Sequence, residues 1–312
     1  DILDADSDGI YDAIIFVNAS SPYHEDSYLT LSFSGAFNYR IYGNYRNQNG
    51  EIAINQYVNI NVDRIKDDKG IMTGTLLHEF AHGFGLIDYY DVTYSGYNAV
   101  GGFDMQSNNE GDWNAYSKYA VGWTNPVVLT EDQIGDGITV EISDFESTGD
   151  TLIIPTSSAV MNDGTLCPFN EYISVDLYSP TKLYQNAANR MGLTNTGVRM
   201  YHVDSRLLEI NTWDDLLTDT ITYDVKQTNA YYEGGQYHLQ LLQKGGDNTF
   251  TSGKYRGVNN KDLFYEGDSF NINDYSSVFE NGKMNDGSDF PYEITVISIS
   301  NGKATISVKP IK

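Results

Sequence analysis

His78-Glu-Phe-Ala-His-Gly-Phe-Gly-Leu-Ile-Asp88 is the stretch on which the reading of this chain turns. Around it, Ile71–Phe84 has the apolar spacing of a helix, with Met72, Leu76, Leu77, Phe80 and Ala81 recurring at three- and four-residue steps. His78 and His82 are four residues apart. On a helix that spacing puts both imidazoles on one face, one turn apart, where two nitrogens can meet one Zn²⁺. Glu79 follows the first imidazole, and its carboxylate is placed to reach a water beside the metal instead of the metal itself. Gly83 and Gly85 are stop signals. Gly85 lets the chain turn back, so that Asp88 arrives six residues after His82. An aspartate oxygen is an acceptable zinc ligand at about 2.0–2.2 Å, and three protein ligands leave a fourth position open, as in catalytic sites. Asp91 and Glu110 are rival third ligands; the spacing of Asp88 fits the compact, glycine-turned form of the motif. The plain alternative is an amphipathic helix with solvated polar residues. Against it, Leu76, Leu77, Phe80 and Ala81 surround the polar trio, and polar groups among apolar neighbours need a partner.

Upstream, Asp4, Asp6, Asp8, Gly9 and Asp12 match the first nine positions of a calcium loop. The EF-hand's twelfth position should be Glu and here is Ile15, so the expectation is a structural Ca²⁺ loop feeding a strand. The competing reading is an acidic terminus with no ion. Ala13–Val17 reads as a buried strand, Tyr28–Tyr45 as strands and turns, and Ile52–Val62 as another strand. Downstream, a second helix is expected with Asp112 as N-cap, running through Trp113–Val121. After Pro126 the texture changes to short β-rich runs between Gly, Asn and Asp turns: Ile138–Ile142, Thr151–Ile154, Tyr172–Leu177, Val198–Val203, Tyr237–Leu242, Ile294–Ile299 and Ala304–Val308. The expected fold is therefore α+β, with a zincin-like catalytic domain over residues 1–127 and an all-β sandwich over 128–312.

Composition narrows the function classes. The 312 residues are 40% hydrophobic and 20% charged, an ordinary soluble globular balance with ample length for real cores. Asp plus Glu is 43 against 19 Lys plus Arg, a formal charge of −24. Phosphate-rich partners and anionic membrane surfaces are disfavoured by that field, whereas divalent cations suit it. Cys167 is the single cysteine, so no intrachain disulfide can form, and a small buried apolar role is expected for it. No stretch approaches a membrane span. The chain opens on its acidic loop with no signal peptide, which reads as a mature or trimmed form lacking any signal and pro-segment.

Residues beyond the motif carry a family resemblance. His78–Asp91, Gly102-Phe-Asp-Met105, Trp113–Trp123, Asn170–Val175 and Gly197–Asp204 resemble blocks of the immune inhibitor A family of secreted bacterial metalloproteases. The resemblance implies an extracellular zinc metalloendopeptidase made with a pro-segment, acting on protein or peptide substrates, with Asp88 as third ligand. It also implies that Met105 packs beneath the metal in the turn that the wider metzincin group calls the Met-turn. Several metzincins place Tyr two residues after that Met, where this chain has Ser107; Tyr89, Tyr90, Tyr116 and Tyr119 stay open as oxyanion donors. His202 and His238 are expected to be structural, and the role of His24 is open. Two other readings remain: an inactive binding protein that uses a Tyr-rich sandwich, with 25 Tyr in the chain, to recognise glycans or cell-surface proteins, and a zinc hydrolase acting on a non-peptide amide.

Overall fold

A computed structural model describes residues 14–18, 33–36, 56–61, 73–91, 97–156, 170–206, 208–210, 222–224, 237–251 and 257–311. The expected calcium ligands Asp4, Asp6, Asp8 and Asp12, and also His24 and Cys167, lie outside the described residues. The chain is of mixed α and β structure, with several sheets and few helices, and it divides into two compact units, Asp1–Leu86 and Ile87–Lys312.

In the first unit, β1 (Ile14–Asn18), β2 (Phe33–Ala36) and β3 (Gln56–Asn61) form a sheet in the order β1-β3-β2. β1 runs parallel to β3 and β2 antiparallel to it. Helix α1 (Thr73–Ala81) packs against β2 and β3. Val58 and Ile60 of the central strand are buried. The expectation of a buried first strand is corrected: Ile15, Phe16 and Val17 are exposed. Among the described residues β1 pairs with β3 alone, at the edge of the sheet, and apolarity alone does not place a strand in the middle of a sheet.

The second unit begins with two short helices, α2 (Met105–Asn108) and α3 (Ala115–Ala120). There follow β4 (Val127–Val128), α4 (Glu131–Ile134), β5 (Ile138–Ser143), α5 (Phe145–Thr148), β6 (Thr151–Pro155) and β7 (Glu171–Tyr178). Then come α6 (Tyr184–Met191), β8 (Gly197–Asp204), β9 (Leu208–Ile210), β10 (Thr222–Asp224) and β11 (Leu239–Leu241). β12 (Ser269–Phe270), β13 (Tyr292–Ser300) and β14 (Lys303–Pro310) close the chain. The strand runs expected after Pro126 are all present, but the segment also carries α4, α5 and α6 and so is not all-β. No described helix is long and apolar enough to cross a membrane.

One sheet has the order β11-β8-β7-β6-β4, antiparallel except for β4 with β6; a second has the order β12-β13-β14-β5, antiparallel throughout. Successive side chains on a strand point to opposite faces. One face of the five-stranded sheet sends Leu152, Ile154, Ile173, Val175 and Met200 into a core shared with Ile294, Val296, Ile306 and Val308 of the other sheet. The opposite face sends Ile153, Tyr172, Tyr178, Tyr201 and Leu239 into a second core with Tyr89, Phe103, Tyr116 and Tyr184. β7 and β8 are thus buried along their whole length on both faces. Four of the charged or ionisable side chains they carry pair off: Asp176 with Arg199 (Oδ1–Nε 2.7 Å), and Glu171 with His202 (Oε1–Nε2 2.7 Å).

The second helix starts two residues later than expected. Asn114, not Asp112, is its N-cap, accepting a hydrogen bond from Ser117 N–H at 2.9 Å. Asp112 has the right chemistry for a cap but is drawn to the Lys118 ammonium and the Trp113 N–H.

Candidate metal centre

The expected helix is present, and its last turn carries His78 and Glu79. His82 opens a 3₁₀ turn, His82–Phe84, which Gly85 ends in a left-handed conformation (φ 83°, ψ 9°) with its N–H on His82 O at 2.9 Å. That conformation costs a residue with a Cβ free energy that glycine does not pay, so the stop expected at Gly85 has a physical cause.

The polarity of α1 is the reverse of a surface helix. His78 is 4% and Glu79 9% exposed, whereas the apolar Leu77, Phe80 and Phe84 are 40%, 37% and 50% exposed. Ionisable groups turned inward need a compensating partner. The ligand atoms of His78, Glu79 and His82 lie within 4.8 Å of one another, a grouping that could hold a metal ion. The two imidazoles meet edge to face, 4.9 Å between centroids. His82 Nδ1 lies 2.6 Å from Leu86 O. A carbonyl oxygen only accepts, so Nδ1 carries the proton, the arrangement in which Nε2 is the nitrogen suited to a ligand role.

Asp88 is half-buried and belongs to the second unit. Of its rivals, Asp91 is buried and accepts a hydrogen bond from Tyr237 OH at 3.3 Å, and Glu110 pairs with Arg190. Met105 is buried as the first residue of α2. Ser107 Oγ accepts from Asn98 Nδ2 at 2.6 Å. Among the four tyrosines, the Tyr89 hydroxyl is bonded to Ser117 Oγ at 2.7 Å and the Tyr116 hydroxyl to Ser205. Burial holds both phenols well above their usual range. Tyr90 and Tyr119 are half-buried. His202 is held by Glu171 and packs edge-on against Phe279, and His238 lies between the rings of Tyr89 and Tyr116.

Sequence reasoning missed how tightly the turn after the motif is tied down. Asp104 caps α2, its Oδ1 accepting from Gln106 N at 2.8 Å. Its Oδ2 accepts from both the N–H and the Nδ2 of Asn114, each at 2.9 Å. Burial pushes the Asp104 carboxyl up to about 7, against the pull of these donors and of the Arg199 charge. Gln106 O in turn accepts from Tyr89 N at 2.8 Å. The available signal was Asn114-x-x-Ser117, a cap residue followed by its third helical position.

Compared with protein-family models and with curated proteins, the chain matches none.

Proposed function

We propose that this chain is a zinc-dependent metalloendopeptidase with a zincin-like catalytic domain, in which His78, His82 and Asp88 hold the ion and Glu79 is the general base. The observation that carries the reading is the convergence of His78, Glu79 and His82, buried or half-buried, on the helix face opposite exposed Leu77, Phe80 and Phe84. The donor set suits zinc: imidazole nitrogens are its common ligands, and the carbonyl at His82 Nδ1 is the kind of outer partner that orients a ligating histidine. Asp88 enters by its spacing in the motif. Zn²⁺, when bound, would polarise the scissile carbonyl and acidify water.

The chain's own contribution is proton transfer. Glu79 takes the proton of the attacking water and delivers it to the leaving nitrogen, so one carboxylate serves as base and then as acid. Tyr89 and Tyr116 have their hydroxyls engaged inside the second unit, which counts against them as oxyanion donors.

The test combines elemental analysis with peptide hydrolysis by the parent and by Glu79→Ala, with and without a chelator. We expect about one zinc per chain in both proteins and a fall in kcat on the order of 10²–10⁴-fold in the variant. Hydrolysis by Glu79→Ala at the parental rate would remove Glu79 as the base. Zinc binding without hydrolysis by either protein would favour a binding protein instead.

A further inference from the structure

We infer that Tyr89, Asp104, Asn114 and Ser117 are positioning residues for Asp88, joined in a closed hydrogen-bonded circuit that holds the peptide leaving Asp88; the inference rests on the zinc reading above. The circuit can be followed atom by atom. Tyr89 N donates to Gln106 O, and Gln106 N donates to Asp104 Oδ1. Asp104 Oδ2 accepts from Asn114 Nδ2, and Asn114 Oδ1 accepts from Ser117 N. Ser117 Oγ meets Tyr89 OH at 2.7 Å and returns the path to its start. All five residues are buried, between 0% and 2% exposed.

Tyr89 is therefore gripped at both ends, its backbone by Gln106 and its hydroxyl by Ser117. Its Cα lies one planar peptide, about 3.8 Å, from that of Asp88. Fixing Tyr89 leaves Asp88 few backbone conformations, so ordering it costs the ion little binding energy. Closure matters because each link constrains the others. A circuit opened between Tyr89 and Ser117 loses the grip on the ring end, so that Tyr89 can pivot about its bond to Gln106 O.

Outer partners of metal ligands typically change metal affinity by about 10–100-fold when removed. The circuit is opened by Tyr89→Phe, which keeps the ring and its packing, and separately by Ser117→Ala. The control is Tyr178→Phe. Tyr178 is equally buried in the same core, and its hydroxyl donates to Leu193 O at 2.7 Å, outside the circuit. Zn²⁺ affinity is measured by chelator competition on the full chain, beside thermal melting of the zinc-free forms and an Asp88→Ala arm.

The expected result is a zinc Kd raised about 10–100-fold in Tyr89→Phe and Ser117→Ala. In Tyr178→Phe the Kd stays at the parental value although its melting temperature falls comparably. Should Asp88→Ala weaken zinc while the circuit variants bind as the parent does, or should Tyr178→Phe weaken it equally, the circuit is structural and the inference is overturned alone. Unchanged zinc affinity in Asp88→Ala overturns the ligand assignment and takes this inference with it.

Discussion

Arg199→Met is the most informative stability perturbation in the second unit. Arg199 is 2% exposed and Asp176 is 0% exposed, with Nε on Oδ1 at 2.7 Å. The guanidinium lies over four aromatic rings, Phe145, Tyr178, Tyr184 and Tyr201, at 5.2–5.7 Å from their centroids. Methionine fills comparable space but leaves the Asp176 charge buried and uncompensated, a change that costs about 3–5 kcal/mol. Against a domain stability of about 5–15 kcal/mol, that is roughly a fifth or more of the total. Burial already pushes the Asp176 carboxyl up, while the Arg199 charge and hydrogen bond hold it down. Without Arg199 the carboxyl moves further up. A folded-state pKa above the unfolded value means stability that is full in acid and lost as pH rises through the folded pKa. The deficit of Arg199→Met should therefore be small in acid and largest at neutral pH. In Arg199→Met with Asp176→Leu most of the loss should return, because an apolar pair of similar volume often equals or exceeds a buried ion pair. Urea unfolding followed by near-ultraviolet circular dichroism reads all of this from the buried tyrosines. A single variant within about 1 kcal/mol of the parent, a deficit independent of pH, or a double variant weaker than the single would refute the reasoning.

The Asp104 carboxyl, raised to about 7 by burial, should make stability fall as pH rises from about 4 to 7, by roughly 4 kcal/mol at most. Asp104→Asn should flatten that slope in urea titrations across the window, and an equal slope in both proteins would assign it to other groups. Gly246 has φ 81°, and a Cβ there would lie 2.1 Å from Asp274 O, whereas Gly267, at φ 88°, has open space. Gly246→Ala should cost about 1–3 kcal/mol more than Gly267→Ala, and equal melting temperatures would count against the close approach. Millimolar Ca²⁺ should raise the melting temperature, by about 2.7 kcal/mol of stability at a hundredfold excess over Kd. Asp6→Ala with Asp8→Ala should blunt that rise at unchanged zinc content, and a parental response would move any calcium site away from Asp4–Asp12.

What could be read from the sequence was what depends on neighbours along the chain. His78, Glu79 and His82 come together because helix periodicity alone brings residues one turn apart onto one face. Strands such as Tyr172–Leu177 and Val198–Val203 announce themselves by β-branched and aromatic runs, and both lie inside observed strands. What escaped was set by distant partners. Asp112 and Asn114 are both good caps, and the choice fell to Asn114 because Lys118 engages Asp112 while Asp104 holds Asn114. The exposure of Ile15–Val17 depends on sheet order, which no strand encodes by itself. The Tyr89 circuit closes over 28 residues and passes through the Gln106 carbonyl, an acceptor that every residue has.

The change of texture at Pro126 marks where strands take over, while the chain on both sides of it belongs to one compact unit. The loops before it are stitched to segments far downstream. Asn98 N donates to Phe250 O, Leu241 N to Ala99 O, Val258 N to Gly101 O, and Tyr237 OH to Asp91. Beneath these loops lies the β7–β8 pair, in register from Glu171↔Asp204 to Tyr178↔Gly197 and buried on both faces. A strand pair without a solvent face can shift only by disturbing two cores at once, because interiors are close-packed. The residues that follow the histidine motif thus pack, through Tyr89 and Phe103, into the same core as this strand pair. Functional groups carried on loops need such an anchor, since a displacement of about 1 Å is enough to cost a site most of its activity. On this view the polar and aromatic interior behind Tyr89, where Asp104, Gln106, Asn114 and Ser117 are all buried, immobilises a loop.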